Sequence, residues 1–226
     1  MIAQIESAAG AAGIRGTQTY EIEVVLTAVE PRIWRRLRVP GNANLGWLHA
    51  VLQVTMGWTN SHLHQFLCGA QVYADPRAEL EAFEGGPSVL DEGKAKLAKV
   101  APASGDGLMY EYDFGDSWGH RVTVVKIMSS PAASAPHAVC LAGGRACPPE
   151  DCGGPGGYEE LLKTLKNRKH PEHKSMKEWL GRPFDAEAFD PAEVNLWLPR
   201  LGWPHLTEGR LRKVLMTREG YRECRG

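Results

Sequence analysis

The chain has 226 residues, 43% of them hydrophobic and 23% charged, with a formal net charge of -1. That is enough chain to bury a substantial core, and the near-zero charge gives no support for a dedicated nucleic-acid binder, which carries a basic excess. No run of about eighteen apolar residues is present, so no membrane-spanning helix is expected.

The first residues, MIAQIESAAGAAGIRGTQT, have neither the basic start nor the continuous apolar stretch of a secretory signal. Residues 1–18 read as a flexible lead-in of small side chains. The first strand signal spans Thr19 to Val29, where Tyr20, Ile22, Val24 and Leu26 alternate. A second, Ile33 to Val39, is bounded by prolines and carries Arg35, Arg36 and Arg38 beside Arg32. So basic a strand suits a sheet edge, where charge blocks unwanted pairing. A helix follows: Asn44 is a good N-cap, Leu45, Leu48, Leu52 and Met56 share a face, and Gly57 suits the stop.

The segment from His62 reads as a strand with His62, His64 and Phe66 on one side. Residues 74–107 are a long polar excursion with room for a short strand or a helical turn. YEYDFGDSWGHRVTVVKI, Tyr110 to Ile127, is a hairpin, and Ser129 to Ala138 is a loop by composition. Helices are expected from Tyr158, after Pro171, after the Asp190–Pro191 pair and after Thr207, where Leu211, Val214 and Leu215 make an apolar stripe. The fold class is α+β: a mainly antiparallel β-sheet with an inserted helix and a cluster of C-terminal helices.

Several groups could carry chemistry. In the hairpin turn, Asp113, Gly115, Asp116 and Gly119 are ordinary turn residues, but Tyr110, Tyr112, Phe114 and Trp118 crowd them. Such aromatics either pack a hairpin or line a ligand cleft. His120 follows at once. Cys140, Cys147 and Cys152 lie within thirteen residues, near His137. Clustered cysteines without a secretion signal point to free thiols or a metal in the cytoplasm, and three thiolates with an imidazole such as His120 would complete a zinc set. The glycine-rich approach to Tyr158 fails as a phosphate loop, because Glu150, Asp151, Glu159 and Glu160 would repel an anion. Ser117 lies near Asp116 and His120 but has no nucleophile elbow.

These stretches together resemble the plasmid pRiA4b ORF-3-like family, found on bacterial plasmids, among transposon passenger genes and in chromosomes. PRIWRRLRVP, LHAVLQVTMGWTNSHLHQF, YEYDFGDSWGHRV, CLAGGRACPPEDCGGPGGYEELL and FDPAEVN occur in the family's order, from about Thr19 to Asn195. The resemblance implies an α+β domain over residues 19–195; the segment 196–226 lies outside the family's usual pattern and reads as a helical extension. Its characteristic residues fall here on Trp34, His62, Phe66, Asp113, Gly115, Asp116, Trp118, His120, Cys140, Pro149, Glu150, Asp151, Gly153, Gly154 and Tyr158. It implies no reaction.

The resulting expectation is a cytoplasmic binding or interaction module associated with plasmid or mobile-element genes. Its acidic–aromatic cleft would be built from His62, Asp113, Asp116, Trp118, His120, Glu150, Asp151 and Tyr158, and would take a protein, peptide, small ligand or metal. The alternative is a metal-dependent hydrolase or nuclease-like enzyme using the same carboxylates and His120. A zinc or other divalent site on His120, Cys140, Cys147 and Cys152 is compatible with either.

Overall fold

A computed structural model describes residues 17–78, 88–130 and 137–223. Strand β1 (Thr17–Leu26) buries Tyr20, Ile22, Val24 and Leu26 and turns Glu21 and Glu23 to the other face. β2 (Trp34–Pro40) pairs antiparallel with it and buries Leu37 and Val39. That register sets Glu21 opposite Arg38 and Glu23 opposite Arg36, and the ion pairs close at 2.9 and 3.0 Å.

The remaining strands are β3 (His64–Cys68), β4 (Gln71–Ala74), β5 (Val89–Asp91), β6 (Gly107–Tyr112), β7 (Trp118–Ser130) and β8 (Val139–Gly144). The sheet runs β5-β4-β3-β6-β7-β1-β2-β8, parallel only between β4 and β5. The basic strand is therefore not an edge, contrary to its composition. β2 lies between β1 and β8, and its outward arginines answer the glutamates of β1. The edge on that side is β8, where Asn195's side chain accepts from Cys140 N and donates to Cys140 O, both at 2.8 Å.

Helix α1 (Leu45–Met56) starts where Asn44 Oδ1 accepts from Trp47 N at 2.8 Å and stops at Gly57, whose φ of 101° is left-handed. Of its residues only Gly46 is not buried, because α1 is covered on two sides. Toward the sheet, Gln53 donates to the Tyr110 hydroxyl at 3.0 Å and Arg35 Nε to Thr55 O at 2.9 Å. After the short α2 (Leu97–Val100) come the C-terminal elements α3 (Gly154–Lys166), α4 (His173–Leu180), α5 (Pro191–Trp197), a 3-10 turn at Leu198–Leu201 and α6 (Glu208–Glu223); α5 and the 3-10 turn pack on the outside of α1, and α6 reaches it through Arg218. Asp190 caps α5 through Ala192 N at 2.8 Å, and Thr207 accepts from Arg210 N at 3.2 Å. Leu198, Leu201, Leu211, Val214 and Leu215 are buried in the same core as the sheet residues, so the helices after Leu196 dock on the domain.

The fold is α+β as expected. Some boundaries differ. β3 begins at His64 rather than His62, and α3 begins at Gly154, where Pro155 suits the first turn. β7 runs on through Ser130, shortening the expected loop, whose residues 131–136 lie outside the described residues, as do residues 1–16 of the lead-in. The excursion over 74–107 holds a 3-10 turn at Pro76–Ala78, β5 and α2; its residues 79–87 also lie outside.

Candidate functional site

The turn from β6 to β7 is closed by its own aspartates. Asp113 takes a left-handed φ of 60°, and its Oδ1 accepts from Gly115 N at 3.0 Å and Asp116 N at 3.3 Å. Asp116 reaches outward instead, accepting from Gly153 N at 3.2 Å. At Gly154, with φ 68°, an added Cβ would lie 2.6 Å from the Asp116 carbonyl oxygen, so only glycine lets the loop after β8 lie against the hairpin.

That contact brings Asp151 (φ 60°) to His62. His62 Nε2 lies 3.0 Å from Asp151 Oδ1 and 3.6 Å from Asp113 Oδ2. Neither approach is aligned as a hydrogen bond, and the nitrogen, shielded from solvent, has no hydrogen-bond partner. The three ligand atoms lie within 4.8 Å of one another, and no other group of three or more His, Cys, Asp or Glu converges in this way among the described residues. One imidazole and two carboxylates make a set for a divalent cation with coordination positions to spare.

The other expected residues do different work. Glu150 accepts from Thr59 N at 3.1 Å, from the Thr59 hydroxyl and from the Tyr112 hydroxyl, which in turn accepts from Ser61 N at 3.0 Å. It ties the loop to the segment that carries His62, and burial followed by the Glu150 carboxylate pushes the Tyr112 hydroxyl pKa up. Trp118, His120 and Tyr158 are core, not cleft wall. His120 is wholly buried, its ring edge-on to Trp58 at 5.1 Å and its Nδ1 3.3 Å from Tyr110 O; burial lowers it to about 4.

The expected set of His120 with Cys140, Cys147 and Cys152 does not converge. Burial pushes Cys140 up to about 11, Cys152 up to about 12 and Cys147 higher, so the sulfurs stay protonated thiols. The buried Arg35 guanidinium interacts electrostatically with Cys140 and Cys147 and would repel a metal dication there. His62 and His64, expected on one strand face, part company because His62 precedes the strand: His64 Nε2 faces Glu92 Oε2 at 2.9 Å.

Glu92 and His49 escaped the sequence reading. They line, with His62 and His64, a cavity of about 1020 Å³. The His49 and His64 rings stack at 3.5 Å with a 5° interplanar angle. Burial lowers His49 to about 3 and His64 to about 4, and raises Glu92 to about 7. The available signal is a histidine, His49, inside a largely apolar helix. A second cavity of about 730 Å³ lies beyond Trp58 and Glu150, lined by Arg35, Cys147, Trp179 and Arg222 among others.

Residues 18–193 match the family described as Plasmid pRiA4b ORF-3-like protein. The chain is 35% identical over 176 residues to "Uncharacterized protein y4hQ" of Sinorhizobium fredii (strain NBRC 101917 / NGR234), covering 77% of this chain and 87% of that one. It is similar in fold to the protein of unknown function MM3350 from Methanosarcina mazei Go1, with a TM-score of 0.67 and 34% identity over 78% of this chain and 96% of that one.

Proposed function

Because the chain belongs to the plasmid pRiA4b ORF-3-like family, we propose that it is a cytoplasmic binding module of plasmid or mobile-element gene sets. It engages its ligand through a divalent cation on His62, Asp113 and Asp151. The observation that carries this reading is the His62 nitrogen, held 3.0 and 3.6 Å from two carboxylates without a hydrogen bond to either. A cation between them gives all three a shared partner and leaves positions for a ligand's oxygen or nitrogen. Asp113 is held by its own turn and Asp151 by the Asp116–Gly153 contact, which supports a preformed site. Unpaired thiols at Cys68, Cys140, Cys147 and Cys152 suit a reducing compartment.

The same open positions favour a second reading, a metal-dependent hydrolase in which the cation activates a bound water. Elemental analysis by plasma mass spectrometry of untagged protein, purified without chelator and dialysed against zinc or manganese, tests the site. We expect stoichiometric metal in the wild type and in Cys152→Ser, and its loss in His62→Ala and Asp151→Asn. Metal-free wild type, or metal retained without His62, overturns it. Turnover of an activated phosphodiester by the loaded protein, lost in the same two variants, would select the hydrolase over the binding module.

A further inference from the structure

The 1020 Å³ cavity has a floor whose hydrogen bonds can be followed atom by atom. Asn60 Oδ1 lies 2.7 Å from His49 Nε2, so that nitrogen donates and carries the hydrogen. His49 Nδ1 is then the acceptor, filled by the Tyr110 hydroxyl at 2.9 Å, which also receives Gln53 Nε2 at 3.0 Å. His49 is complete, a satisfied core histidine that presents a flat face to His64.

His64 and Glu92 are not complete. They share one contact, Nε2 to Oε2 at 2.9 Å. Among the described residues no hydrogen bond reaches His64 Nδ1 or Glu92 Oε1. Both residues line the cavity and are nine-tenths or more buried, at 9% and 6% exposure. Neither atom is sealed from solvent: each opens from a mostly buried side chain onto the cavity, and two such atoms side by side in its wall mark a place for a polar partner. Gly46 keeps that place clear, since a Cβ there would stand 3.0 Å from Glu92 Oε1.

The charge of the wall selects the partner. Asp75, Asp91 and Glu208 join Glu92 around the cavity, and Arg77, their cationic neighbour, is already paired with Asp75 and Glu208. An anion would be repelled. A metal ion would find only two close ligands, because no third group joins His64 and Glu92. We propose that this cavity binds a small organic cation, an amine whose ammonium donates to Glu92 Oε1 and His64 Nδ1. Its volume lies at the upper end for small-molecule sites, leaving room for a polar tail toward Asn44, Ser61 and Thr207. The raised Glu92 carboxyl agrees, since an arriving cation stabilises the charge that burial disfavours.

Isothermal titration of the full chain with cadaverine and agmatine, against acetate and phosphate, tests the inference. We expect at least one of the two amines to bind and neither anion. Glu92→Gln, which keeps the shape and removes the charge, should weaken binding by about tenfold or more. Gly46→Ala, which puts a methyl group beside Glu92 Oε1, should also bind more weakly. Asp151→Asn, which disables the proposed metal rim, should leave amine binding unchanged, so the two proposals fail separately. Wild type that binds neither amine, or Glu92→Gln that binds as tightly as wild type, overturns it.

Discussion

Arg35, Arg36 and Arg38 follow one another along β2 and meet different environments. Arg36 and Arg38 are partly exposed partners of Glu23 and Glu21. Arg35 is buried, donates to Thr55 O, Trp34 O and Gly144 O at 2.7 to 3.0 Å and lies 3.8 Å from the Phe189 ring centre. Arg35→Ala strands those carbonyls and should destabilise by about 3 to 5 kcal/mol, against about 1 kcal/mol or less for Arg36→Ala or Arg38→Ala. Urea unfolding of the three variants checks the contrast. The buried histidines set an acid limit. Burial holds His49 at about 3 and His120 at about 4, below the ordinary 6.5 of an unfolded chain. Below pH 6.5 the unfolded chain takes up protons that the fold refuses, so their stabilisation is full above pH 6.5 and declines as pH falls toward 4. Glu92, raised to about 7, acts in the opposite sense, its contribution declining as pH rises from about 4.5 to 7. With His64, also lowered by burial to about 4, three imidazoles outweigh one carboxyl, and stability should fall by a few kcal/mol between pH 6.5 and 4. Urea midpoints across that range check it, and His120→Phe should flatten the slope; an unchanged slope would refute a neutral buried His120.

At the scale of elements, the β6–β7 hairpin answers both to its own geometry and to the rim. Asp113 closes the turn through one oxygen and faces His62 with the other. Asparagine keeps the acceptor and tolerates the left-handed backbone, whereas alanine does neither. Asp113→Asn should therefore change stability by less than about 1 kcal/mol while losing bound metal, and Asp113→Ala should cost about 1 to 2 kcal/mol as well. Unfolding curves paired with metal content separate the two roles. If Asp113→Asn kept full metal, its outward oxygen would not be a ligand.

For the whole molecule, the decisive contact is between the beginning and the end of the chain. Arg218 of α6, 1% exposed, donates to Gln53 O, Val54 O and Trp58 O at 2.6 to 3.2 Å at the C-terminal end of α1, where a cation suits the helix dipole. Trp47 Nε1 donates to Gly202 O at 2.8 Å on the same side. A helix buried all round needs a second cover, and the segment beyond the matched residues 18–193 supplies it. Arg218→Ala should destabilise by about 3 kcal/mol or more, with Arg218→Lys intermediate because a point charge cannot reach all three carbonyls. Thermal unfolding by circular dichroism checks the ranking. Equal stability of all three proteins would make α6 a bystander.

Much of this architecture is legible along the chain. The alternation of β1, the caps at Asn44, Asp190 and Thr207, and the stop at Gly57 are local consequences of periods near 2 and 3.6 and of side chains that bond their own backbone. Asp113 and Asp116 are equally legible as turn residues. Residue type alone did not show that β2 is interior, that Arg35 is buried while Arg36 is not, or that His120 belongs to the core while His62 meets Asp113 and Asp151. Those outcomes depend on elements brought together across long stretches of chain: β8 beside β2, the loop after β8 beside the hairpin, Glu92 beside His64. A local pattern sets which face of a strand or helix is apolar. Only the packing of distant elements decides which polar atoms on those faces find partners and which two are left open to the cavity of about 1020 Å³.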